Sequence, residues 1–205
     1  MNLLTILSWF QNVLKWIVEI DKKIFLSINQ QHTNPFFDWL MPILRNSNTW
    51  IPLYIIILVF ASFKLKQKAI GWFLFAILTI LFTDQISSHL IKPYIARPRP
   101  CSDIEFVTQV RLLLKHCSGG YSFTSSHACN HFGIALFFIT TLSKYFYKWK
   151  YLFIIWAALI CYAQVYVGVH YPFDVLCGGI LGAIIGKIIG NWCNRKLLAP
   201  QKIEI

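Results

Sequence analysis

Acidic residues are scarce in this chain: eight Asp and Glu stand against nineteen Lys and Arg, a net charge of +11 over 205 residues. No carboxylate cluster resembles a magnesium site, and no Cys-x-x-Cys pairing reads as a zinc site, so neither metal nor cofactor is expected. Charge of either sign is low, at 13% of residues, against about 25% in ordinary soluble domains. No Ser/Gly/Pro-rich linker divides the chain, and no nucleic-acid module frames its basic residues. The lysines instead fall in short clusters after apolar runs, where positive-inside topology places them, so no nucleic-acid partner is expected. Residues 1–20 lack a basic start and are interrupted by Gln11, Asn12 and Lys15, which is unlike a cleavable signal peptide.

What is abundant is apolar. Hydrophobic residues make up 57% of the chain, with seventeen Phe and eight Trp, and the mean hydropathy is +0.56. Five apolar segments stand out, at 50–63, 69–91, 128–142, 151–169 and 175–192. The first and third are short against the roughly 20 residues of a membrane-crossing helix, so their ends must extend into polar flanks. The fold expected is an all-α, polytopic transmembrane helix bundle of about five spans (residues 50–194). Residues 1–49 precede it as N-terminal amphipathic helices, and 195–205 follow as a cytoplasmic tail.

Within 1–49, apolar residues from Leu3 to Val18 recur at helical spacing and form a stripe, which favours an interfacial helix, with a sixth span as the alternative. Asn34-Pro35 marks a turn before a second short interfacial helix at 36–43. Basic clusters at 64–68, 144–150 and 195–202 fall at alternate segment ends and can share one side, the cytoplasmic one. The loop 92–127 and the turn 170–174 then lie together on the opposite side. That loop contains Cys101 and Cys117, which either form a disulfide on the oxidising side or remain two thiols. Cys129, Cys161, Cys177 and Cys193 read as packing residues.

Three polar clusters collect on that opposite side, where ionisable groups near spans default to a functional reading. The first, KPYIARPRP at 92–100, sets Lys92, Arg97 and Arg99 among three prolines. Proline stiffens the cradle and guanidinium forks suit phosphate, although the same cations could anchor lipid headgroups. The second, SFTSSH at 122–127, leads into a helix start, where exposed N–H groups favour an anion and Ser125 or Ser126 could cap. His127 has the proton affinity of an acid–base group, or serves as a capping histidine. The third, QVYVGVHYPFD at 164–174, places His170 four residues before Asp174, so that a helical turn would set the carboxylate against the imidazole as base and orienter. A structural His–Asp pair has the same spacing. Cations, an in-line nucleophile and an acid are the parts phosphoryl transfer needs.

With these residues in view, the chain resembles the type 2 phosphatidic acid phosphatase family, the acid phosphatases related to vanadium haloperoxidases. The family pattern K-x6-R-P is matched by Lys92, Arg99 and Pro100; P-S-G-H keeps Ser125 and His127; S-R-x5-H-x3-D keeps His170 and Asp174 but has Gln164 in place of arginine. The resemblance implies a metal-independent, two-step reaction. In it His170 attacks phosphorus, Asp174 orients His170 and His127 protonates the leaving oxygen. Lys92, Arg99 and Ser125 grip the phosphate, with the Ser126 N–H as a further donor. Gln164 would donate a weaker hydrogen bond, with Arg97, Arg111 or Lys115 as possible compensation for the lost charge. Asp84, His89, Asn130 and His131 read as supporting residues, Asp84 pairing with Lys92 or His89. The implied substrate and partner is a phosphorylated lipid: undecaprenyl diphosphate, phosphatidylglycerophosphate, phosphatidate or lipid A. The implied location is a bacterial inner membrane, the site facing the periplasm. A lipid phosphotransferase and an inactive lipid-binding protein are the alternatives, and the sequence is silent on oligomeric state.

Overall fold

In the computed structural model, which describes residues 2–199, every regular element is helical and no strand occurs among the described residues. The calls on 200–205, including Lys202, lie outside the described residues. The helices are α1 (Leu3–Leu26), α2 (Pro35–Arg45), α3 (Ile51–Leu65), α4 (Ala69–Asp84), α5 (Lys92–Ile95), α6 (Ser126–Phe146), α7 (Leu152–Tyr166) and α8 (Pro172–Cys193). A π-helical stretch, Gln85–Ile91, joins α4 to α5. Three helical segments are long and apolar enough to cross a membrane, Ser47–Ile95, Ser126–Tyr166 and Pro172–Leu198. The first two are interrupted at Lys66 and Tyr147, where φ is 51° and 33°, and α3 packs on α4 and α6 on α7. The 24-residue α1 is not among the three.

The three basic clusters meet at one end of the bundle, as far as they are described. Tyr145 Oη donates to the Lys64 carbonyl (3.4 Å) and Asn194 Nδ2 to that of Thr140 (2.9 Å). The polar motifs gather at the other end, and α8 explains how. Gly178, Gly182, Gly186 and Gly190 recur every fourth residue and form one face. A Cβ at Gly182 would enter the carbonyl oxygen of Cys129, and one at Gly186 that of Gly133. Backbone-to-backbone packing of α6 and α8 therefore brings their N-termini together. Ser125 N donates to the Asp174 carbonyl at 3.0 Å.

The N-terminal helices are bonded to this same end. Buried Asn29 donates to the carbonyls of Arg111 and Tyr166, both at 2.8 Å, and accepts from the Arg111 N–H at 2.8 Å. Cys101 and Cys117 are disulfide-bonded within the long loop, their Cα atoms 5.8 Å apart. The other four cysteines are free, three of them buried.

Candidate active site

His170 is buried just before α8, after a turn at Gly168 whose φ of 91° favours glycine. The spacing to Asp174 does not work through a helical turn, because Pro172 opens the helix at its first position. Asp174 instead caps that helix: its Oδ2 accepts from the Tyr171 N–H at 2.8 Å and lies 3.6 Å from His170 Nδ1. Between them stands the buried hydroxyl of Ser122. It donates to Asp174 Oδ2 and lies 3.3 Å from His170 Nδ1.

On the other side of the ring, Arg99 Nη1 is 3.0 Å from His170 Nε2. A guanidinium only donates, so Nε2 must be the lone-pair nitrogen and Nδ1 must carry the proton. That proton faces Ser122 and Asp174. Burial holds the His170 pKa down at about 4, opposed by the bond to Asp174 and reinforced by the charge of Arg99. At neutral pH the ring is neutral, with no proton on Nε2.

Arg99 is itself buried and also donates to the carbonyls of Gly120, Gly119 and Val169, at 3.2, 3.2 and 3.1 Å. Arg97, expected among the phosphate ligands, has both terminal nitrogens on carboxylates: Nη1 to Asp174 Oδ1 and Nη2 to Asp21 Oδ2, each 2.7 Å. Its guanidinium also covers the Tyr171 ring at 4.0 Å. Burial alone would lower its pKa, but the two acids outweigh that and raise it. Arg111 is likewise taken, its Nη1 2.9 Å from both oxygens of Asp38. Lys115 is exposed.

Other groups are uncommitted. Lys92 and the His127 ring have no ion pair or side-chain hydrogen bond within the described protein; the His127 ring stacks on His131 at 6.2 Å. At the start of α6, Ser125 Oγ accepts from the Ala128 N–H at 3.4 Å, and Ser126 Oγ lies 2.8 Å from Ser88 Oγ and 3.1 Å from Ser87 Oγ. The backbone N–H groups of Ser126 and His127 find no acceptor among the described residues, as expected for a helix N-terminus. Asp84 pairs with neither Lys92 nor His89, since Oδ1 accepts instead from Ser88 and Asn130, at 3.2 and 3.3 Å. His131 Nδ1 donates to the His127 carbonyl at 2.8 Å.

Gln164 is fully buried on α7; its Oε1 accepts from Arg45 Nε at 3.4 Å and its Nε2 has no partner among the described residues. Sequence reasoning assigned no role to Arg45, Asp21 or Ser122. Asp21 shares α1 with a second acid, Glu19, so no local signal in the sequence singled it out.

Residues 71–197 match the PAP2 superfamily. The chain is 32% identical to the lipid A 4'-phosphatase of Porphyromonas gingivalis over 180 residues, 86% of this chain and 74% of that protein. It is 34% identical to the undecaprenyl-diphosphatase of Sulfolobus acidocaldarius over 66% of this chain and 59% of that one. The crystal structure of Aquifex aeolicus LpxE superposes with a TM-score of 0.59 at 26% identity, covering 82% of this chain and 92% of that chain. The chain belongs to the PAP2 superfamily, as an integral membrane phosphatase that hydrolyses phosphoric esters.

Proposed function

We propose that the protein removes phosphate from a phosphorylated membrane lipid through a phosphohistidine formed on His170. The observation that carries this reading is the tautomer of His170, with Nε2 aimed at the Arg99 guanidinium and Nδ1–H backed by Ser122 and Asp174. An incoming phosphate draws Arg99 to itself and releases the lone pair it holds. Nε2 then attacks phosphorus, the bond to the lipid oxygen breaks, and His127 gives its proton to that oxygen. In the second step His127 takes a proton from water, the water oxygen bonds to phosphorus, and the P–N bond breaks to release inorganic phosphate. Lys92, Arg99, the unpartnered Nε2 of Gln164 and the N–H groups at the start of α6 hold the phosphoryl oxygens, with Ser125 and Ser126 shaping that start. Arg97 supports Asp174 rather than the phosphate.

In this reading α3, α4, α6, α7 and α8 are five crossing helices, and this end of the bundle faces the periplasmic side of a bacterial inner membrane. The basic ends at Lys64–Lys68 and Lys144–Lys150 support that orientation. Beside His131, one turn of α6 below His127, an apolar groove of about 440 Å³ runs between α3, α4 and α6, lined by Tyr54, Leu58, Ile77 and Leu81. It suits a lipid chain entering from the bilayer. Among lipid phosphates, the relatives at 32% identity favour a lipid A-type phosphate monoester.

The test is phosphate release by the detergent-solubilised protein in EDTA, over lipid A, undecaprenyl diphosphate, phosphatidylglycerophosphate and phosphatidate. Release from lipid A that survives EDTA is expected. A strict need for a divalent metal would overturn the mechanism, and labelled phosphate recovered on a second lipid would replace hydrolysis with transfer.

A further inference from the structure

We propose that Arg45, in the last turn of α2, is a phosphate-binding residue of this site and takes the part of the arginine that α7 lacks at Gln164. The inference rests on the phosphatase reading above and adds a residue from outside the matched core. Residues 71–197 do not include Arg45.

The first observation is its lack of a counterion. Arg45 is half-buried, yet among the described residues no carboxylate comes within 4.0 Å of it. Among the described residues its side chain makes one hydrogen bond, the long one from Nε to Gln164. Among the described residues the two terminal nitrogens have no partner, and they are not sealed from solvent, unlike Arg111 Nη2. A partly desolvated cation without an anion is unfavourable, and a bound anion removes that penalty.

The second observation is where the fork lies. Arg45 is near enough to Arg99 that its charge adds to burial in lowering the Arg99 pKa. Among the described residues neither guanidinium has a carboxylate within 4.0 Å, so the two cations lack a counterion and suit an anion. Gln164 is the link. Its buried amide orients Arg45 through Oε1, and its Nε2 has no partner among the described residues.

Third, α2 is held in place before any ligand arrives. Asn34 caps it at Phe37 N (2.9 Å), and Asp38 accepts from Tyr166 Oη (2.7 Å) as well as from Arg111. At its C-terminal end, Trp50 Nε1 donates to the Leu44 carbonyl and Thr49 Oγ1 to that of Ile43, both at 2.8 Å. A cation carried on such a support loses little freedom on binding. Arg97 and Arg111, the other arginines within reach, are already committed to acids.

The experiment compares wild type, Arg45→Ala, Arg45→Lys and the exchanged pair Arg45→Gln/Gln164→Arg, in detergent, for kcat/KM on the lipid A substrate and for inhibition by vanadate. Arg45→Ala is expected to lower kcat/KM about 10- to 100-fold, the worth of one charge-assisted hydrogen bond, and to weaken vanadate inhibition by a similar factor. Arg45→Lys should recover part of both, and the exchanged pair should exceed the single variant Arg45→Gln, assayed beside it, at least tenfold. Full kcat/KM and unchanged vanadate inhibition in Arg45→Ala would overturn the proposal. So would a loss of kcat/KM with vanadate inhibition intact in the folded Arg45→Lys protein. His170→Ala, run alongside, separates the two claims: if it too keeps activity, the phosphohistidine reading fails rather than the role of Arg45.

Discussion

Asp21 on α1 and Asp174 on α8 share one guanidinium, that of Arg97, at 2.7 Å on each side. Both acids are almost wholly buried, with side-chain exposures of 1% and 0%. Asp21 also accepts the Phe173 N–H at 2.9 Å, so the N-terminal helix is bonded directly to the first turn of α8, just after His170.

Arg97→Ala leaves two buried carboxylates facing each other with no cation. Removing one partner from such a cluster costs about 3–5 kcal/mol. A clear drop in thermal unfolding temperature is expected, and the milder Asp21→Asn should lower it less. Vanadate inhibition of any folded Arg97→Ala protein should stay near wild type. A selective loss of vanadate affinity at unchanged unfolding temperature would return Arg97 to the phosphate ligands.

The proton balance of His170 gives a pH prediction. Its folded pKa of about 4 lies below the roughly 6.5 of an exposed histidine, so the unfolded chain binds more protons between those values. Stability therefore falls as pH drops from about 6.5 towards 4, and below about 4 the charged ring is no longer a nucleophile. An NMR titration of the ring nitrogens should find His170 neutral from pH 8 down to 5. A midpoint near 6.5 would contradict the buried, Arg99-bonded geometry.

Ser122→Ala removes the hydroxyl set between the imidazole and the carboxylate. Asp174 keeps Arg97 and the Tyr171 N–H, so the fold should survive. The ring loses its nearest Nδ1 partner, and kcat should fall about tenfold, the worth of one buried hydrogen bond, with KM little changed. Steady-state kinetics check this, and an unaltered kcat would show that Asp174 alone orients His170.

Lys92, Arg99, His127, His170 and Asp174 were legible because they lie in short spacings tied to helix ends, and one side of the bundle collects them. The contact of His170 with Asp174 was expected from a helical turn. It arises instead from an N-terminal cap, since Pro172 starts the helix only after the histidine. Ser122 sits in a recognisable cluster, but its bond to Asp174 depends on how the long loop folds back. Arg45 and Asp21 belong to helices whose apolar stripe suggested only an interface. Their roles depend on contacts more than seventy residues away in sequence, which no local spacing encodes. The four-residue recurrence of glycines in α8 encodes the close packing on α6.

The central claim is that His170 carries the phosphoryl group. Its most direct test is to quench turnover of phosphate-labelled lipid in alkali, where phosphohistidine is stable, and to locate the label by mass spectrometry of the digested protein. The account predicts label on the peptide containing His170, lost in acid and absent from His170→Ala. Label on another residue, or phosphate release undiminished in His170→Ala, would contradict it.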